Sequence, residues 1–257
     1  MKAVILAGGL GTRLREETEF RPKPMVEIGG QPILWHIMKI FSHHDVNEFV
    51  VCVGYRGDII KDYFANYETR SNDFTVELGS TKKIEFHDGH LETKWTVTVV
   101  DTGQETMTGG RVKRIEPYVD NEPCLVTYGD GLADVDIDAL LTFHRQHGRL
   151  ATMTTVRPLT RFGVVDLAED GTVKRFREKP QTDECVNGGF FVFEPKVLRD
   201  YIGADSVLEQ EPLEALARDG ELMAYRHEGF WQPMDTYREF TMLNDMWDAN
   251  EAPWKVW

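Results

Sequence analysis

The chain predicts an α/β fold, an open mixed sheet that is mostly parallel and flanked by helices. Three observations carry that expectation. The run Ala3-Val4-Ile5-Leu6 is apolar without polar alternation, as in a strand covered on both faces. Strand-like and helix-like stretches then alternate as β-α-β-α up to Tyr67, the order that builds parallel sheets. A glycine-rich segment follows the first strand directly, where open α/β sheets place their ligands.

Taken in order, "KAVILA" (2–7) reads as the first strand. "PILWHIMKIFSHH" (32–44) opens with Pro32 and sets Ile33, Ile37, Ile40 and Phe41 on one helical face. "EFVVCVGY" (48–55) is a second buried strand and "GDIIKDYFANY" (57–67) a second helix. Residues 68–100 break the rhythm, with short alternating stretches and turn dipeptides that predict hairpins. "GGRVKRIEPYV" (109–119) reads as helix, and "PCLVTYGD" (123–130) as a buried strand ending in an acid. "DIDALLTFHRQHG" (136–148) is a helix with a glycine stop. "ATMTTVRP" (151–158) is a strand, and "GVVDLAEDGTVKRFREKP" (163–180) a hairpin around Asp170-Gly171. "GGFFVFEP" (188–195) and "ELMAYRHEG" (221–229) are strands; "EQEPLEALARDGE" (209–221) and "TYREFTMLNDMWDAN" (236–250) are helices. With no internal repeat or linker, residues 1–257 are expected to form one domain with 68–100 as an inserted hairpin region.

The composition narrows the partners. A net charge of −14 argues against general nucleic-acid binding, which needs basic surface. No apolar run approaches the ~18 residues of a membrane span, and "MKAVILAGG" is too short in its apolar stretch for a secretory signal. The expected compartment is the cytoplasm. Cys52, Cys124 and Cys185 are expected to be reduced core residues.

The decisive stretch is "LAGGLGTRLREETEFRPKPM", Leu6 to Met25. Gly8, Gly9 and Gly11 let the backbone approach a ligand and can line up N–H groups into an anion-binding concavity. Arg13, Arg15, Arg21 and Lys23 add cations, and a polyphosphate is the natural partner. A Walker A loop is excluded because the chain contains no Gly-Lys pair. A dinucleotide fingerprint starting at Gly9 and Gly11 needs a small residue where Leu14 stands.

What remains resembles the sugar-1-phosphate nucleotidyltransferases, whose signature is a strand followed by LAGGxGTRLxPxT…xPKPMxxIxGxPxL. Residues 6–34 read "LAGGLGTRLREETEFRPKPMVEIGGQPIL", with "REET" departing from the usual proline. The resemblance extends over nearly the whole chain and implies a Rossmann-like fold of the nucleotide-diphospho-sugar transferase type. It implies that Leu6, Ala7, Gly8, Gly9, Gly11, Thr12, Arg13 and Lys23 wrap a nucleoside triphosphate, with Arg13 on the departing phosphates and Lys23 on the α-phosphate. Asp130 and Asp235 would hold Mg²⁺. Read alone, Asp130 suits a turn and Asp235 a helix cap equally well. In Asp134-Val-Asp136 the acids are expected at the start of the 136–148 helix rather than as a DxD metal site. The catalytic set would be Arg13, Lys23 and Asp130.

Gln104 and, five positions on, Gly109 fit the family's pyrimidine contacts, with Tyr128 and Gly129 also at the nucleotide. Gly163, Glu178, Lys179, Asn187 and Gly188 match its sugar-phosphate motifs, although "EKP" and "NGG" are each ordinary turns in isolation. Trp231 fits a sugar-pocket wall and core packing equally. "YGDG" (128–131) and the 68–100 insertion point to the branch that joins CTP and glucose 1-phosphate and supplies bacterial surface-polysaccharide precursors on the route to dideoxy sugars. A UTP- or dTTP-using relative and a silent nucleotide-sugar sensor stay open. The resemblance also implies a homo-oligomer, with a hexamer as the expected form and the insertion as the subunit contact.

Overall fold

The computed structural model describes all residues except Leu10, Thr12, Arg13, 80–82, Asp88, His90, Leu91, Thr93 and Arg161; of Arg15 and Glu16 it describes the backbone alone. Its centre is a seven-stranded sheet built from β1 (Ala3–Ala7), β2 (Glu48–Val53), β3 (Thr96–Asp101), β4 (Cys124–Tyr128), β5 (Ala151–Val156), β6 (Val186–Phe193) and β7 (Leu222–Arg226). The strand order is β7-β5-β6-β4-β1-β2-β3. The pairs β4/β1, β1/β2 and β2/β3 are parallel, as is β5/β7, while β6 runs antiparallel to both its neighbours. The sheet is therefore mixed and mostly parallel, as the alternating sequence predicts.

Strand periodicity divides the core. Ala3, Ile5 and Ala7 of β1 face one buried cluster, and Val4 and Leu6 face another. Strands β2, β4 and β6 divide their buried residues in the same way. The helix α1 (Ile33–His43) buries Ile33, Leu34, Ile37, Met38, Ile40 and Phe41 in the first cluster. Helix α2 (Gly57–Ala65) adds Ile60, and α4 (Ile137–His147) adds Ile137, Leu140 and Leu141. On the other face, Val112 of α3 (Thr108–Arg114) packs with Leu213 and Leu216 of α5 (Glu211–Arg218). Each such side chain contributes about 1.5–3 kcal/mol. The last helix, α6 (Tyr237–Asp248), anchors through Leu243 on the first face.

Three expectations are corrected. The 68–100 segment is not hairpin throughout. Tyr67–Ser71 is a short helix, and one hairpin pairs Phe74–Glu77 with Lys83–Phe86. Residues Thr96–Asp101 are the edge strand β3 of the main sheet, because Val97 and Val99 pack on the core beside β2. The 109–119 helix ends at Arg114, and Pro117 carries a separate 3-10 turn, Glu116–Tyr118. Cys52 and Cys124 are free and buried as expected, and burial pushes both thiols up to about 12, but Cys185 is exposed.

Candidate active site

Strands β1 to β4 end on one side of the sheet, and a glycine stands just past each: Gly8, Gly54, Gly103 and Gly129. The space between these ends is a cleft of about 440 Å³, within the range of small-ligand sites. Leu6, Ala7, Gly8, Gly9, Gly11, Lys23, Gln104, Tyr128, Gly129, Asp130 and Asp235 line it.

The loop after β1 is held from beneath. Gly11 has φ +62°, and its carbonyl accepts from the Thr18 hydroxyl at 2.9 Å, which also donates to Leu14 O at 2.7 Å. On the other side the buried guanidinium of Arg111 reaches five neutral oxygens. Nη1 donates to Val53 O (3.2 Å), Thr102 Oγ1 (2.7 Å) and Gly103 O (2.8 Å), and Nη2 to Gly8 O (2.9 Å) and Gln104 O (3.3 Å). One cation thus ties the ends of β1, β2 and β3 together. Burial lowers its pKa, though the group stays charged at neutral pH. The sequence offered no signal for this role beyond one arginine among several in "GGRVKR". Thr12 and Arg13, expected to complete the loop, lie outside the described residues, as does the side chain of Arg15.

Lys23 sits in a 3-10 turn, Lys23–Met25, capped by the extended Pro22. Its side chain is buried, and Nζ donates to Asp130 Oδ2 at 2.7 Å and to Asp235 Oδ1 at 2.6 Å. Asp130 follows β4, where Gly129 N continues the ladder to Leu6 O at 3.0 Å. Asp235 arrives by a short antiparallel pairing of Trp231–Pro233 with Gly131–Ala133, closed by Met234 N donating to Asp130 O at 2.8 Å. The cap of α6 is Thr236, in a capping box with Glu239, so Asp235 is not the helix cap. Likewise Asp136 caps α4 by accepting from Ala139 N at 2.9 Å, and the neighbouring Asp138 pairs with His44 at 2.8 Å.

One wall of the cleft runs from Gln104 through Glu105, Thr106 and Met107 to Thr108. Gly109 lies behind it: a Cβ there would stand 2.4 Å from Ser206 Oγ, so this glycine serves a close approach to the 203–206 turn. On the opposite flank Asn187 Nδ2 donates to Tyr128 Oη at 3.0 Å, and the Trp231 indole donates to Gly188 O at 2.8 Å. Trp231 is half-buried. None of these three predicted sugar residues lines the cleft, but Asn187 touches Tyr128, which does. Gly163, Glu178 and Lys179 do not line it either. They stand at the base of a separate ribbon (Val164–Leu167 with Val173–Arg177), where a Cβ on Gly163 would meet the Phe176 ring at 2.7 Å and Lys179 pairs with Glu178 at 3.5 Å.

The arrangement combines a glycine-floored cleft, a cationic side chain and two carboxylates that converge on one cationic nitrogen. Two hard anionic oxygens so placed fit a divalent cation, and a lysine beside them fits a phosphate. Such a site aligns and neutralises polyphosphates rather than supplying a nucleophile of its own.

Comparison with known proteins agrees. The sequence profile described as nucleotidyl transferase matches residues 2–236. A Salmonella typhi protein named glucose-1-phosphate cytidylyltransferase is 54% identical, with the whole of each chain covered. A Bacillus subtilis (strain 168) protein named probable glucose-1-phosphate cytidylyltransferase is 46% identical, again over the whole of each. Among solved structures, HddC from Yersinia pseudotuberculosis superposes with a TM-score of 0.71 over 96% of this chain and 99% of its own, and at 22% identity it bears on the fold alone. The glycine-loop cleft and the end-to-end match together show that the chain belongs to the nucleotidyl transferase family.

Proposed function

We propose that the chain transfers a cytidylyl group from CTP to α-D-glucose 1-phosphate, giving CDP-glucose and pyrophosphate. The observation that carries this reading is the Lys23–Asp130–Asp235 cluster lining the glycine-floored cleft, in a chain 54% identical end to end to a relative of that name. A phosphate oxygen of the sugar phosphate attacks the α-phosphorus in line. The bond to the β-phosphate oxygen breaks, and pyrophosphate leaves. No general base is required, because the nucleophile is already an anion at neutral pH.

Asp130 and Asp235 would hold Mg²⁺, which supplies charge neutralisation for the triphosphate. With those carboxylates so engaged, the Lys23 ammonium turns to the α-phosphate. The backbone N–H groups of Gly8, Gly9 and Gly11 cradle the remaining phosphates, and Arg13 faces the departing pyrophosphate. Gln104 addresses the pyrimidine edge, since an amide both donates and accepts. Asn187, Gly188 and Trp231 border the sugar. Lys179, with Gly163 and Glu178, comes from the ribbon to the sugar phosphate.

CTP and a sugar phosphate are metabolites of the cytoplasm, and this reading places the protein there; among the described residues no helix is long and apolar enough to cross a membrane. It also takes the chain as a homo-oligomer, a hexamer, with the hairpin bearing Phe74 and Phe86 as a subunit contact; both rings are exposed. The decisive test measures pyrophosphate release with glucose 1-phosphate and each of CTP, UTP, dTTP and ATP. Release with CTP in clear preference is expected. Preference for UTP or dTTP would move the base assignment, and release with none would make the chain a sensor.

A further inference from the structure

A hydrogen-bond chain crosses the cleft's edge from the base side to the sugar side, and its hub is a residue that the sequence motifs do not mark. Glu209, just before α5, accepts from the Thr108 hydroxyl at 2.7 Å through Oε2 and from the Tyr128 phenol at 2.6 Å through Oε1. Thr108 opens α3, the helix that carries Arg111, and its oxygen also accepts from Leu208 N at 3.0 Å. Tyr128 in turn accepts from Asn187 Nδ2 at 3.0 Å, and the Asn187 carbonyl accepts from Gly189 N at 2.9 Å.

We propose that Glu209 is a positioning residue that, together with the Gly189 N–H at the other end, fixes this chain so that Asn187 faces the sugar substrate as an N–H donor. An ionised carboxylate has no proton to give. Thr108 and Tyr128 must therefore both donate to it. The phenol has one proton, which is spent on Glu209, so its oxygen is left to accept from Asn187. The amide is then pinned at both ends, its oxygen by Gly189 and one N–H by Tyr128. One N–H remains, and it recognises an acceptor oxygen such as a sugar hydroxyl. The sugar-side role of Asn187 rests on the function proposed above; the polarity of the chain does not.

The test uses Glu209→Ala, Tyr128→Phe and the double variant of the full-length protein. Each single variant is expected to raise KM for glucose 1-phosphate by about tenfold, the loss of one well-placed hydrogen bond, and KM for CTP by no more than about threefold. The double variant should match the worse single one, since both act through one relay. Multiplying effects, equal changes in both KM values, or no change in either would overturn the proposal. A second readout needs no turnover: the Asn187 side-chain amide resonances, identified in ¹H–¹⁵N spectra by their loss in Asn187→Ala, should shift in both single variants. Unshifted resonances would overturn the relay itself. Absence of wild-type turnover alongside shifted resonances would instead sink the functional reading and leave the relay standing.

Discussion

Replacing Lys23 with methionine removes the cation on which Asp130 and Asp235 converge while keeping most of the apolar stem. Lys23 is 8% exposed, and its contacts to the two carboxylates are 2.7 and 2.6 Å. Breaking a buried ion pair by removing one partner costs about 3–5 kcal/mol. The Asp130 side chain is 34% exposed, so water screens part of the resulting repulsion and about 2–3 kcal/mol is the fitting figure. For a chain of this size that is a fall in Tm of about 5–10 °C. The same variant opens the carboxylate pair to an external cation. Manganese or magnesium alone, at about a hundred times its Kd, should return about 2.7 kcal/mol. In the wild-type protein the metal must first displace the internal ammonium, so metal without nucleotide should shift Tm far less. Scanning fluorimetry with and without each metal, backed by titration calorimetry, measures both effects. A wild-type shift as large as that of the variant would refute the view that Lys23 and metal compete for one place.

Asp130→Asn and Asp235→Asn should each weaken the metal dependence of pyrophosphate release, whereas Thr236→Ala should cost about 1 kcal/mol of stability and leave the metal titration alone; a changed titration in Thr236→Ala would return Asp235 to a capping role. Arg111→Lys puts a single ammonium where a planar fork serves five oxygens, and is expected to raise KM for CTP about tenfold with a measurable loss of Tm; wild-type kinetics would show that the guanidinium does not shape the cleft. Lys179→Ala should raise KM for glucose 1-phosphate more than KM for CTP, and equal effects in steady-state kinetics would remove it from the sugar-phosphate site. Acid sensitivity should trace to His36, which burial holds down at about 4, where its Nε2 bonds Ile28 O at 2.8 Å and Trp254 donates to Nδ1. The unfolded state takes up this proton near pH 6.5 and the folded state does not until about pH 4. Stability is then full above pH 6.5 and falls by about 3 kcal/mol as the pH drops to 4. His144 and His147, also lowered by burial, add to the same limb; urea denaturation of His36→Gln with an undiminished acid slope would exclude His36 as the main cause.

The buried strands were the most legible part of the chain. Ala3–Ala7 and Cys124–Tyr128 announce themselves as apolar runs, because strands covered on both faces need no polar alternation. Strand β3 was not legible: "TVTVVD" alternates as an edge hairpin does, and only its pairing with β2 shows which sheet it joins. The same split runs through the site. Lys23, Asp130 and Asp235 carry charges in a recognisable motif, so their types could be read in advance, and their meeting at one nitrogen was a consequence of the fold. At Gly109 the sequence could not show the close approach to Ser206, because glycine is used wherever backbones come close and its type names no partner. Arg111 and Glu209 gave no local signal, since their partners lie far along the chain, at Gly8 and Val53 in one case and at Tyr128 and Thr108 in the other.

The volume taken by the Arg111 guanidinium has a consequence for how this sequence can drift. A Cβ built on Gly8 would lie 2.1 Å from Nη1, and one on Gly54 would lie 2.6 Å from the same atom. Neither glycine has an unusual φ; at Gly8 what opposes a side chain is that one filled space, whereas a Cβ on Gly54 would also stand 2.8 Å from the carbonyl oxygens of Gly8 and Gly103. Gly8 and Arg111 thus form a lock in which the step toward alanine at 8 is opposed while the arginine stands, and Gly54 is held by the neighbouring backbone as well. In a randomised library covering residues 8, 54 and 111, survivors should keep glycine at 54 and fall into two populations: one with glycine at 8 beside arginine, and one admitting alanine at 8 beside a shorter residue at 111.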